Sequence, residues 1–263
     1  MSRGVSPEVL DTPTHLLVES ERAAFLFTKK DFGNIGILHS DDGDDNRRRA
    51  VGVMSEVTGA QAVTRLKTAM PDGVDHLDIS GLAADELPEV VYAEALITTD
   101  PDHILQVNPA DCLTLAVDGI SERVGGPVLA LIHAAAKDIV AGRPRLTLEY
   151  MCATYSVEPS ELQVKASPTA RHQSYKFKDI SEHQKQSERW QDYVYQDEAG
   201  MWHVDFHGRA MADLAELGVP NANIWANPDD TISNPAYFSY YRHIQHGDVR
   251  GYNGAFAALM PTS

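Results

Sequence analysis

"NPADCLTLAVDGISERVGGPVLALIHAAA", residues 108–136, holds one cysteine, one histidine and two apolar runs. "CLTLAVDG" and "PVLALIHAA" are β-rich and are separated by turn residues, so the stretch reads as two neighbouring strands. Cys112 opens the first strand and His133 stands near the end of the second, at corresponding ends of the pair. Ala110, Ala134 and Ala135 are small neighbours that leave room for a ligand. A thiolate and an imidazole can share a zinc ion, and a catalytic zinc takes three protein ligands and keeps an open position. The plain alternative is a cysteine acting as a small buried hydrophobe and a core histidine satisfied by one hydrogen bond. Spacing alone leaves both open.

Outward from this pair, further short strands follow closely. "HLLVES", "AAFLFT", "AVTRLKTA", "GVDHLDI", "EALITTD" and "HILQVNPAD" read as strands, as do "LQVKASP", "MWHVDF", "ANIWAN" and "AYFSYYRHI". "SDDGDDNRRRAVGVMSEVTG" reads as a polar loop leading into a helix with its acids in the first turn. "AAAKDIVAGRPRLTLEYMCATYS" has helical spacing and should break at Gly142–Pro144. "DISEHQKQSERWQDYVYQDEAG" should be helical over its middle, and "HGRAMADLAELG" a helix ended by Gly218. The alternation lacks a regular βαβ rhythm. A mixed α/β (α+β) layered sandwich in one domain, residues 1–263, is therefore expected.

The chain has 263 residues, 43% of them hydrophobic and 23% charged, with a formal net charge of -16. Such an acidic surface repels phosphate backbones and anionic lipid, so neither nucleic acid nor membrane is expected as a partner. A small anionic substrate would need a local basic pocket. Cys112 and Cys152 are too few for a disulfide scaffold and fit a reducing compartment. The start, "MSRGVSPEVLDTPTH", has no apolar run after its arginine, so a cytoplasmic protein without a secretory leader is expected.

"NRRR" can be a phosphate cradle, with Asn46 capping a helix and Arg47 and Arg48 at its positive end, or it can balance the neighbouring aspartates. "HVDFH" spaces His203 and His207 four apart, but a strand at His203 and a helix cap at Asp205 would make the rings diverge. "YFSYY" reads as core packing.

Several of these segments fall in order along one pattern. "NRRRA" at 46–50, "NPADCL" at 108–113, "HAAAKD" at 133–138, "SPTARHQSY" at 167–175, "HVDF" at 203–206 and "YFSYYR" at 237–242 together resemble the YfiH-like, laccase-domain or polyphenol-oxidase family. The resemblance implies that family's sandwich fold and a zinc-dependent purine nucleoside phosphorylase or hydrolase, with adenosine deaminase side activity. It implies Cys112 and His133 as metal ligands, with His76, or Met70 at the family's histidine position, as the third. Zinc is the metal implied; a thioether at Met70 would suit copper(I) better. Lys137 and Arg47 or Arg48 would orient phosphate, Asp111 and Tyr175 would contact substrate, and Arg242 would support the pocket. The family's His-Ala-Gly-Trp-Arg-Gly is His-Ala-Ala-Ala-Lys-Asp here, and its glycine-rich loop is reduced to "SPTARH". Lysine keeps the charge of arginine but loses its planar fork. These departures raise a second expectation: a silenced or repurposed member that binds a small molecule or protein. A third makes Cys112 a nucleophile with His133 as its base.

Overall fold

In a computed structural model of the chain, the described residues are 7–36, 42–68 and 75–261. Two sheets lie face to face. The first runs Glu8–Asp11, His15–Glu19, Ala23–Thr28, Ala255–Leu259, His103–Val107, Ala62–Lys67 and Val90–Tyr92. Its neighbours are antiparallel up to His103–Val107 and parallel beyond. The second runs Ile224–Ala226, Gln163–Ala166, Leu113–Ser121, Gly126–Ala134, Ala95–Thr98 and Leu77–Asp78. A small third sheet joins Lys176–Phe177, Trp202–Val204 and Val194–Gln196. The helices are α1 (Gly43–Thr58), α2 (Ala136–Val140), α3 (Arg143–Tyr155), α4 (Glu182–Gln186), α5 (Phe206–Leu217) and α6 (Tyr240–His246).

Period-two alternation explains the layers. Ala116, Leu129 and Leu131 point from the second sheet toward Phe25, Leu105 and Ala257 of the first, and fill the space between the sheets. Leu115, Val117, Ala130 and Ile132 point the other way, onto Leu148 and Met151 of α3 and Leu214 of α5. On the far side, Leu26, Ile104 and Phe256 pack under Ala50 and Met54 of α1. Strands covered on both faces read as nearly continuous apolar runs, which is why 113–117 and 128–134 carry so few polar residues. No helix among the described residues is long and apolar enough to cross a membrane.

Three local expectations are corrected. "AYFSYYRHI" forms α6 rather than a strand: the Ser239 side chain accepts from the Arg242 N–H, and Asp111 accepts from the Tyr241 N–H. Those caps outweigh the strand preference of a tyrosine- and phenylalanine-rich run. The polar run after Ser181 gives only the short α4, because the chain turns at Ser187–Tyr193 to bury Trp190. Asn46 does not cap α1. The helix starts at Gly43, and the Asn46 amide instead donates to the Asn34 carbonyl at 3.1 Å. The expected break near Gly142 is real. Gly142 adopts φ 73°, a left-handed conformation that separates α2 from α3.

Candidate metal centre at Cys112 and His133

The long hairpin of the second sheet sets the geometry. Its register pairs His133 with Thr114 and Ala134 with Leu113, so Cys112, just ahead of the ladder, comes level with the histidine end. Cys112 lies beside the buried His133 ring. The ring's Nδ1 faces the Glu94 carboxylate at 3.2 Å. Glu94 is fixed by the backbone as well: the His133 N–H donates to its carbonyl at 2.8 Å. The Lys137 ammonium meets the other Glu94 oxygen at 3.1 Å. Asp138 stands 4.0 Å from Nδ1 and accepts the Ala135 N–H at 3.2 Å, closing the start of α2. Ligand atoms of Glu94, His133 and Asp138 lie within 4.8 Å of one another, a group that could hold a metal ion.

The charges are mutually dependent. Burial alone would lower the pKa of His133, but the charges and hydrogen-bonding contacts of Cys112 and Glu94 outweigh it and push it up to about 10. Burial alone would raise Glu94, yet His133 and Lys137 pull it down to about 2. Without a metal, the ring is thus an imidazolium between a sulfur and a carboxylate. Burial, reinforced by Glu94, raises Asp138 above the usual carboxylate range.

Beside Cys112 opens a narrow pocket of about 40 Å³, walled by Asp111, Ala134, Thr169, Tyr175 and His207 among others. Burial, then Cys112, pushes the Tyr175 hydroxyl up to about 12. Burial, then the Arg171 charge, holds His207 down at about 4, and its buried Nε2 has no hydrogen-bond partner among the described residues. Asp111 builds the wall rather than facing a ligand with free oxygens. Oδ1 accepts from Thr231 at 2.7 Å, and Oδ2 accepts from Ser239 at 3.1 Å and the Tyr241 N–H at 2.8 Å.

Residues 31–259 match the model of the family described as multi-copper polyphenol oxidoreductase laccase. The chain belongs to this family. Its fold is that of three solved structures. Bacillus licheniformis hypothetical protein YfiH superposes with TM-score 0.77 at 17% identity, covering 95% of this chain and 98% of that one. Geobacillus stearothermophilus YlmD superposes with TM-score 0.73 at 18% identity, covering 96% and 98%. Neisseria meningitidis protein NMB0706 superposes with TM-score 0.68 at 17% identity, covering 98% and 100%. No curated protein matches the sequence.

Within this laccase-family fold, the residues singled out from sequence separate into two sets. Cys112, His133, Lys137, Tyr175 and Asp111 gather around one end of the hairpin. His76 does not join them as a third ligand. It stacks on Tyr150 of α3 with ring centroids 4.1 Å apart, and among the described residues the group of ligand atoms within reach of one ion is Glu94, His133 and Asp138, without His76 or Cys112. Met70 lies outside the described residues. Arg48 is exposed and paired with Asp45 one helical turn away. Arg47 pairs with Glu89 and faces Asp44 at 3.5 Å. Arg242 touches no substrate wall directly. It donates to the carbonyls of Thr231, Ile232 and Asn234 at 2.8–3.0 Å and to Asp248 at 2.9 Å, so it pins the loop that Asp111 also holds.

The sequence reading gives no weight to Glu94 and Asp138, and takes His207 only as half of a His203–His207 pair whose rings would diverge. Glu94 did carry a signal: a carboxylate between Ala93 and Ala95 at the mouth of a buried strand needs a partner inside. Asp138 carried none, since a helix start explains it equally well. His203 and His207 diverge as expected. His203 stacks on Tyr195 and meets Asp197 at 3.1 Å, away from the pocket that His207 lines.

Proposed function

We propose that the chain is a metal-dependent enzyme acting on purine nucleosides, with phosphate as co-substrate, at the centre built on Cys112 and His133. One arrangement carries the reading: a buried imidazole with Cys112 on it and a carboxylate on Nδ1. The donor set fits zinc. Thiolate and imidazole are its usual ligands, and a carboxylate behind a ligating histidine fixes the ring and raises its basicity. Soft sulfur also suits copper. A metal bound there would supply Lewis acidity toward the substrate.

The chain's own residues have separate tasks. Glu94 holds the imidazole in one orientation, and Lys137 balances Glu94 while keeping N–H donors for an oxyanion. Tyr175 keeps its proton at neutral pH and can donate it as a hydrogen bond. His207 stays neutral, with an acceptor or donor to spare inside the pocket. Asp111 and Arg242 keep the surrounding loops in place.

A second reading has support of its own. A pocket of about 40 Å³ holds on the order of one water, not a nucleoside, and Lys137 and Arg47 already have carboxylate partners. On that reading the family fold survives in a binding protein. Metal-loaded protein given adenosine or inosine with phosphate distinguishes the two. Release of free base, abolished in Cys112→Ala and in His133→Ala, is expected. Loaded protein that releases neither base nor ammonia would leave the binding protein standing.

A further inference from the structure

A second pocket, of about 430 Å³, opens on the face of the first sheet that α1 covers, and it shares no wall with the pocket at Cys112. Its volume lies in the range of small-molecule sites. Arg65 and Lys67 both line it, two apart on the strand Ala62–Lys67 and therefore on the same face. Beside them, in parallel register, stand Val90 and Tyr92 of the edge strand. Asn108 closes the pocket at the end of His103–Val107.

The polar groups there are incompletely used. Arg65 is partly buried, and its Nη1 is shut off from solvent with no hydrogen-bond partner among the described residues. Next to it the Arg47 Nε is buried and, among the described residues, unpartnered as well. Burial, then the Arg47 charge, lowers the pKa of Arg65; Glu89 and Asp44 oppose this, but both are already engaged with Arg47. The Lys67 ammonium sits 5.4 Å from the centre of the Tyr92 ring. The Asn108 Oδ1 accepts from Gln106 Nε2 at 2.8 Å, while its Nδ2 makes a long contact, 3.4 Å, to the Ile35 carbonyl. A chain with net charge -16 thus gathers cations and idle N–H donors around a cavity, against the general sign of its surface. Two guanidinium groups side by side repel unless an anion lies between or in front of them. Arginine's planar fork matches two oxygens of a carboxylate or phosphate.

We infer that this pocket binds a small organic oxyanion, a carboxylate or phosphate group carried on an apolar or aromatic body. Arg65 takes the oxyanion at two oxygens, Lys67 adds charge, and Val90 and Tyr92 receive the body. The site goes beyond the proposed activity and does not depend on it, because none of its residues touches the Cys112 pocket.

Calorimetric titration at constant ionic strength, with chloride as the background anion, tests this using benzoate, phenyl phosphate and inorganic phosphate. Benzoate or phenyl phosphate should bind, and the tighter of the two identifies the head group. Arg65→Gln should weaken that probe by roughly tenfold or more, the usual worth of a hydrogen bond to a charged group. Arg65→Lys should weaken it less, and Lys67→Gln by a smaller factor still. Cys112→Ala should leave it unchanged, which separates failure of this site from failure of the metal centre. If Arg65→Gln does not fold, Arg65→Lys and Lys67→Gln carry the same reading. Failure of all three probes to bind above the chloride background would overturn the inference, as would Arg65 variants binding like the parent. Inorganic phosphate binding as tightly as phenyl phosphate would overturn the role given to the apolar walls.

Discussion

Glu94 and His133 form a charged pair inside the fold, and pH tests it directly. In metal-free protein Glu94 titrates near 2 rather than its ordinary 4.5, so its contribution is present above pH 4.5 and fades as pH falls toward 2. His133 titrates near 10 rather than 6.5, so its contribution is full below pH 6.5 and fades as pH rises toward 10. The stability gap between wild type and Glu94→Gln, read by thermal melting after metal removal, should therefore be widest between about pH 4.5 and 6.5. A gap that does not change with pH would refute the pairing. The two thiols make a second contrast. Burial, then Glu158 and Glu149, pushes Cys152 up to about 11, whereas Cys112 lies against an imidazolium. Iodoacetamide near neutral pH should label metal-free Cys112 first, with mass spectrometry locating the adduct. Equal labelling would remove the contact as drawn. The sequence made Cys112 and His133 visible because both stand at strand ends among alanines. Glu94 left a fainter trace, an acid between two alanines one step outside a strand, which points inward only once its burial is known.

Elements were legible where a pattern was long, and less so where a single tertiary contact decides. The runs at 113–121 and 126–134 are apolar enough to be read directly as strands. At Tyr240–His246 local preference favours a strand, and the helix exists because Asp111, far away in sequence, accepts the Tyr241 N–H. No spacing rule sees that bond. The α2–α3 junction is the opposite case, since a glycine ahead of a proline announced it. Gly142→Ala should cost about 1 kcal/mol, the penalty for a left-handed backbone with a Cβ. The added carbon would meet nothing closer than Arg189 at 3.7 Å, so the loss would come from the backbone alone. Urea denaturation monitored by circular dichroism would measure it; no loss would mean that the junction relaxes freely.

Across the whole molecule, one buried ion cluster joins the two sheets. Asp118 and Lys165 of the second sheet meet at 2.7 Å, both nearly sealed from solvent. Arg22, on the turn between the first sheet's His15–Glu19 and Ala23–Thr28, reaches the same carboxylate at 2.6 Å. Lys165→Met leaves the buried Asp118 carboxylate with Arg22 alone, so it should destabilise the protein by about 1.5–3 kcal/mol, the worth of a hydrogen bond to a charged group. Lys165→Met with Asp118→Leu should recover part of that loss, by the same denaturation measurement. The layered architecture was readable from strand count and turn spacing; which sheet each strand joins was not, because Ala62–Lys67 and Leu77–Asp78 are consecutive in sequence and lie in different sheets. The proposed metal centre lies at the end of the hairpin shared by these layers, and the enzymatic reading turns on it. Elemental analysis of protein purified without added metal tests it most directly. Close to one zinc or copper ion per chain, lost in Cys112→Ala and in His133→Ala variants that still fold, is the expected result. Wild-type protein that carries no metal and takes none up on dialysis against zinc or copper, or variants that keep a full equivalent, would contradict it.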